Sequence, residues 1–185
     1  MNKTFAKPGY LNTGAALDLM EQSLDRYGLG QVIVASTYGQ TGLEAARRLQ
    51  GRQLNLVVVT HNYGFREPGA LEMPPETRLE LTSLGARVLT GTMPFRNIGT
   101  AIREAQGYSQ QDLIANTLRL LGQGLKVCVE ITLMAADAGL IAQDDVLAMA
   151  GTGRGADTLA IIAPQSSNKL FNLKIREILA KPTDW

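Results

Sequence analysis

Gln31-Val32-Ile33-Val34-Ala35-Ser36-Thr37-Tyr38-Gly39-Gln40-Thr41-Gly42, with the residues that follow it to Thr60, decides the fold. Gln31–Ala35 is apolar on both faces, as a central parallel strand covered by helices must be. Ser36–Thr41 reads as a polar loop, and Gly42–Gln50 as a short helix stopped by Gly51. Leu54–Thr60 is a second fully apolar strand. Strand, loop, helix and strand in that order predict a right-handed parallel crossover.

Working outward, the same alternation continues on both sides. Asn2–Ala6 reads as a short edge strand turned by Pro8 and Gly9. Asn12 or Thr13 can cap a helix running to about Tyr27, with Ala16, Met20, Leu24 and Tyr27 on its apolar face, ended by Gly28 or Gly30. After Thr60, His61–Met73 reads as a long surface loop. Pro74 and Pro75 open a helix to Leu84, where a missing N–H costs nothing. Ala86–Leu89 is a short strand and Ile98–Ala105 a short helix. Ser109, with Asp112 three residues on, caps a helix to about Leu121.

Leu125–Leu140 supports two readings. Val127, Val129, Ile131 and Leu133 alternate like a strand, whereas Ile131, Met134, Ala135 and Ala138 keep helical spacing. Length and the Ala-rich end favour a helix stopped at Gly139. Glu130, Met134 and Asp137 then share one side. Val146–Ala150 and Thr158–Ala163 are strands joined by Gly151-Thr152-Gly153-Arg154-Gly155-Ala156-Asp157. That connection is too short for a crossover helix, so the two strands should be antiparallel neighbours. Asn168–Trp185 reads equally as a helix or an edge strand. The whole predicts a three-layer α/β/α sandwich with a mostly parallel sheet.

The chain has 185 residues, 45% hydrophobic and 19% charged, with a formal net charge of +1. That suits one compact domain over residues 1–185. Scattered Lys and Arg give no footprint for nucleic acid or an anionic membrane. No run approaches the ~18–20 apolar residues of a membrane span. Met1–Gly14 has no apolar signal-peptide core, and one cysteine, Cys128, cannot form an internal disulfide; a cytoplasmic location is expected.

Two loops can bind an anion. Ser36–Thr41 follows a strand and opens a helix, whose free N–H groups and partial positive charge suit a phosphate. Ser36, Thr37 and Thr41 add hydroxyls, and Gly39 allows close approach. Neither the Walker A ending nor G-x-G-x-x-G occurs here, and a ligand-free N-cap loop would look the same. In the glycine loop, Arg154 offers a fork of donors to a phosphate, supported by backbone amides. The plainer reading is a hairpin in which Arg154 pairs with Asp157. The working claim is that both loops meet at one end of the sheet around a phosphorylated small molecule.

His61 is the single histidine. It follows the strand beside the first loop and shows no adjacent carboxylate or nucleophile, as a general base would need. It also lacks partners at zinc-ligand spacing, so no metal is expected. Tyr63, Phe65 and Met73 either wall a flat ring or pin their loop to the body. Glu130 and Asp137 lie about 10 Å apart along a helix, too far for a carboxylate dyad. Glu130 is better read as a buried acceptor for a loop amide. Cys128, among apolar neighbours, reads as an inert thiol.

Several of these stretches together resemble a known family. They are Val34–Gly39, Val57–His61, Met73-Pro74-Pro75-Glu76, Gly124–Asp137 and Gly153–Thr158, with Lys7-Pro8-Gly9 and Asn12-Thr13 fitting the opening motif. The chain is similar over nearly its whole length to the small stand-alone archaeal and bacterial relatives of the pyruvate kinase carboxyl-terminal α/β domain. The resemblance implies a three-layer sandwich whose carboxyl-terminal strand or strands run antiparallel to the rest. Pyruvate kinase's catalytic barrel has no counterpart here, so phosphoenolpyruvate chemistry is not expected.

The resemblance also implies flavin mononucleotide (FMN) as cofactor. Its phosphate would lie on Ser36, Thr37, Gly39 and Thr41, with Tyr38 in the same loop. Its ring would lie near Thr60, His61, Gly64 and Glu130, with Gly151, Thr152, Gly153, Arg154 and Gly155 closing the site. No catalytic residue is assigned. The functional expectation is a domain that binds a phosphorylated small molecule; an FMN-dependent oxidoreductase is the alternative. Self-association as a homo-oligomer is left open.

Overall fold

The computed structural model describes residues 2–185. In chain order the strands are β1 Lys3–Phe5, β2 Gln31–Ala35, β3 Asn55–Val59, β4 Arg87–Leu89, β5 Val146–Ala150, β6 Thr158–Ala163 and β7 Lys174–Pro182. The helices are α1 Thr13–Tyr27, α2 Gln40–Arg48, α3 Pro75–Ser83, α4 Asn97–Gln106, α5 Gln110–Arg119 and α6 Gln123–Asp137. All seven strands form one sheet in the order β1-β7-β6-β5-β2-β3-β4.

Side chains alternate across that sheet into two apolar cores. Val32 and Val34 of β2, Leu56 and Val58 of β3, and Leu147 and Met149 of β5 face one side. Ile33, Val57, Val59, Val146, Ala148 and Ala150 face the other. The first core is closed by Leu17, Met20 and Leu24 of α1, Ala45 and Ala46 of α2, and Leu81 of α3. The second is closed by Leu125, Cys128, Val129, Ile131 and Leu133 of α6, with Ala115 of α5. Each fully buried Leu or Ile contributes about 1.5–3 kcal/mol. Strands apolar on both faces and helices on both sides are therefore one fact, and the three-layer α/β/α sandwich holds.

β2 pairs in parallel with β3 and β5, and β3 with β4. β6 is antiparallel to β5, as the short connection requires. β7 turns back, antiparallel to β6, and carries β1 in parallel beside it. The one reversed strand is thus β6, inside the sheet, and the last strand again runs with the majority. The carboxyl-terminal segment is a 3-10 turn at Ser167–Asn172 followed by a strand, which decides between helix and strand for that tail.

Of the ambiguous stretch, Leu125–Asp137 is helical, within α6. It lies so close to β6 that a Cβ on Gly124 would fall 2.0 Å from Thr158 Oγ1, so only glycine fits there. Gly139, at φ 64°, follows its cap, and Leu140 N–H donates to Ala135 O at 2.9 Å. α2 starts two residues earlier than its sequence pattern predicts. Thr41 therefore sits in the first turn of a helix rather than in a loop. No helix among the described residues is long and apolar enough to cross a membrane.

Candidate functional site

The chain leaves β2 through α2 on one face and enters β5 from α6 on the other. β2 and β5 are parallel neighbours, so the loops leaving their carboxyl ends emerge side by side. Such a switch in strand order opens a crevice where α/β proteins place ligands. A cleft of about 870 Å³ lies there. The first loop contributes Ser36, Thr37, Tyr38 and Thr41 to its lining; the glycine loop contributes Gly151, Gly153, Arg154 and Gly155. Thr60, His61 and Glu130 also line it. Segments separated by more than a hundred positions thus share one cavity.

Three residues of the expected set do not line the cleft. Gly39, at φ 100°, caps α2 from behind, where an added Cβ would lie 2.1 Å from Thr77 Cγ2. Gly64, at φ 74°, turns the His61–Met73 loop and its N–H donates to Ala70 O. Thr152 lies within the glycine loop, with its N–H on Asp157 Oδ2 at 3.0 Å. Its hydroxyl oxygen is buried and has no hydrogen-bond partner, the one such side-chain atom among the described residues.

The glycine loop is built by Asp157, not by an Arg154–Asp157 pair. Asp157 is wholly buried and accepts from Gly9 N–H, Thr152 N–H and the Thr158 hydroxyl at 2.9, 3.0 and 2.7 Å. Arg154 has no carboxylate partner among the described residues and reaches over the Tyr38 ring, 6.0 Å from its centroid. The hairpin reading of the pair fails because backbone donors already fill the carboxylate. Gly155, at φ 73°, packs where a Cβ would meet Thr13 Oγ1 at 2.3 Å and Tyr10 Cα at 2.5 Å. Ala156 N–H donates to Thr13 Oγ1 at 3.0 Å, tying the loop to the start of α1.

In the first loop, Ser36 Oγ accepts from Gly42 N–H at 3.0 Å and so organises the amino end of α2. The Thr60 hydroxyl is engaged with His61 O at 2.7 Å and with the Thr90 hydroxyl at 2.7 Å. Phe65 packs on His61 with ring centroids 4.0 Å apart, and the Arg96 guanidinium lies 4.7 Å from the Phe65 ring centroid. Met73 instead enters the first core, and Tyr63 closes its own loop through Gly69 O. Of the three loop residues proposed as a wall, only Phe65 faces the cleft.

Glu130 accepts from Phe95 N–H at 2.9 Å, the loop-amide role its burial requires. It also pairs with Lys126 one turn earlier, both side chains 5% exposed. Burial lowers the Lys126 pKa; Glu130 opposes that shift, and Arg119 and Arg96 reinforce it. Asp137 leaves this side of the helix and accepts Ser167 N–H. Burial and the Asp157 charge push the Cys128 thiol far above the thiol range, so it stays neutral.

Residues not anticipated complete the cleft: Arg96, Arg119, Gln123, Lys126 and Met134, with Tyr10, Thr13 and Glu44 at its rim. The Lys126–Glu130 spacing, i to i+4 on a helix, was the legible signal for a paired lysine. Arg96 and Arg119 carried none, because α4 and α5 reach the cleft only through tertiary packing. Four cationic side chains (Arg96, Arg119, Lys126, Arg154) face two carboxylates (Glu44, Glu130). In a chain whose net charge is +1, that local excess makes the cleft electropositive.

Fold and cleft together define a three-layer α/β/α domain with a cleft at the switch point of its sheet. No family model matches the chain. Among solved structures it is similar to a pyruvate kinase from Cryptosporidium parvum, at 15% identity and TM-score 0.42, covering 86% of this chain and 24% of that one. It is also similar to an O-ureido-L-serine synthase, at 16% identity and TM-score 0.34 over 76% of this chain and 51% of that one. A pyridoxal 5'-phosphate-dependent aspartate racemase matches at 17% identity and TM-score 0.35, over 76% of this chain and 47% of that one. The chain spans about a quarter of the pyruvate kinase's length and about half of each of the others.

Proposed function

We propose that this chain is a binding domain for a phosphorylated small molecule, that FMN is that molecule, and that the chain belongs with the stand-alone relatives of the pyruvate kinase carboxyl-terminal domain. One observation carries the reading. The loops after β2 and β5 emerge from adjacent parallel strands and line one cation-rich cleft. The phosphate belongs at the amino end of α2, where N–H groups and the helix dipole favour negative charge. Thr41 and Arg154 stand ready to donate to it, and the orphaned Thr152 hydroxyl lies in the facing loop.

A flat ring fits the remainder. Tyr38, His61 and Phe65 offer aromatic surface, and Val59, Ile131 and Met134 an apolar one. The volume lies in the range of small-molecule and cofactor sites, roughly 300–1,000 Å³. When bound, a flavin supplies redox chemistry; the chain's residues bind and orient it.

The test is direct. Purified protein is examined for flavin absorbance and its small-molecule content by mass spectrometry, then titrated with FMN. Stoichiometric FMN binding, weakened in Thr41→Val and Arg154→Ala, supports the reading. A colourless protein that ignores both FMN and inorganic phosphate refutes it. Reduction of the bound flavin by a nicotinamide cofactor, with turnover on an acceptor, would replace a binding domain by an oxidoreductase.

A further inference from the structure

The loop after β3 holds a constellation that binding alone does not require. His61 Nδ1 lies 2.7 Å from Glu72 Oε2, and Nε2 lies 3.4 Å from Thr37 Oγ1. A carboxylate only accepts, so Nδ1 carries a proton, and in the neutral ring Nε2 then holds the lone pair. At 3.4 Å the Thr37 hydroxyl competes only weakly for that lone pair. Glu72 is itself fixed: its Oε1 accepts from the Tyr38 hydroxyl at 3.2 Å and from Arg66 Nε at 2.9 Å, and its side chain is 11% exposed. Phe65 holds the imidazole from its face. A merely solvated loop histidine needs none of these partners.

The placement gives this group something to act on. β3 is the neighbour of β2, whose loop forms the anion cradle. Strand spacing of about 4.8 Å puts the imidazole a few bonds along any small molecule held there by its phosphate. Arg96 and Lys126 line the same cleft and favour negative charge developing on that molecule. Cys128 is buried and Ser36 Oγ is engaged at the amino end of α2, so neither is free to act as a nucleophile.

We propose that His61 is a catalytic general base that removes the proton from the carbon beside the carbonyl of a phosphorylated ketone or aldehyde, with Glu72 as its positioning residue. The C–H bond breaks and an Nε2–H bond forms. The electron pair becomes the enolate double bond, and the charge moves to the carbonyl oxygen. Returning a proton from Nε2 to the same carbon restores the carbonyl, so nothing is oxidised or reduced, and in D₂O that returning proton is a deuteron. The inference rests on the phosphate cradle of the function proposed above and not on the flavin.

Dihydroxyacetone phosphate in D₂O is the probe, with loss of its carbon-bound proton signals followed by NMR. The wild-type protein is expected to speed exchange at least ~1,000-fold over buffer, and added FMN to suppress it by occupying the cradle. His61→Asn returns the rate to that of buffer. Glu72→Gln lowers kcat about 100-fold, the usual scale for a general base put out of position, with KM unchanged. A purely structural Glu72 would lower the melting temperature or raise KM instead, and melts of both variants read that separately. Absent wild-type exchange, or exchange that survives in both variants, overturns the proposal. Amide NMR with inorganic phosphate keeps the two readings apart. Phosphate bound without exchange refutes the base alone; no phosphate bound refutes the cradle.

Discussion

Asp157→Ala removes the post that holds the glycine loop. The carboxylate, itself wholly buried, accepts two backbone N–H groups, from Gly9 and Thr152, and the Thr158 hydroxyl. Alanine leaves the two N–H groups without their acceptor in a part-buried loop, at about 1–3 kcal/mol each. The Thr158 hydroxyl can rotate to another acceptor and adds little. Removing a buried charge returns part of the loss, so the net cost is about 3–4 kcal/mol. For a chain of this size each kcal/mol moves the melting temperature about 2–4 °C, giving a fall of about 6–16 °C. Asp157→Asn keeps one oxygen for the two N–H groups and turns its amide toward the Thr158 hydroxyl, so it should cost less than half as much. Urea and thermal melts measure both. An alanine variant within 1 kcal/mol of wild type would refute the assignment of Asp157 as the loop's organiser. So would an asparagine variant less stable than the alanine one.

Arg154→Ala should weaken ligand binding about tenfold and leave stability within ~0.5 kcal/mol, because the side chain is exposed and has no carboxylate partner among the described residues; fluorescence titration and a melt check both. Gly155→Ala should cost ~2 kcal/mol or more and lower affinity too, since its Cβ would meet the Tyr10 backbone at 2.5 Å with φ at 73°; a melt near wild type would contradict the packing. Lys126 gives a pH signature. Its native pKa is lowered from 10.5, so between that lowered value and 10.5 the unfolded chain holds more protons than the native one. Stability should therefore rise with pH across this window and be lost as pH falls through it. Lys126→Met should flatten that rise in urea melts from neutral pH to 10.5.

Much of the architecture was legible because the central strands are apolar on both faces. Val32–Val34 and Leu56–Val59 can belong only to a sheet covered twice, and the Gly151–Asp157 connection forces β6 antiparallel. α6 was ambiguous for a physical reason. It is buried on nearly every side, from Gly124 to Ala135, which erases the polar stripe that marks a surface helix. β7 was illegible because register shifts at Leu159/Ala160 and Ile161/Ile162 break its alternation.

The site divides the same way. The two loops were readable from glycines and hydroxyls following apolar strands. Glu72 was not, because nothing local in a long loop says that a carboxylate eleven positions on folds back to a histidine. The alternative of an Arg154–Asp157 pair could not be dismissed from sequence, which does not show that Gly9, far away in the chain, supplies an N–H to Asp157. Arg119 reaches the cleft through packing of α5 on α6, and Arg96 through the Phe95 N–H bond to Glu130, neither of which any spacing encodes.

Amide NMR during a titration with FMN, and separately with inorganic phosphate, tests the convergence of the two loops most directly. The account predicts that Gln40, Thr41 and Gly42 shift together with Gly151 to Gly155 along one binding curve. Shifts confined to one of the two segments, or following two different curves, would contradict it.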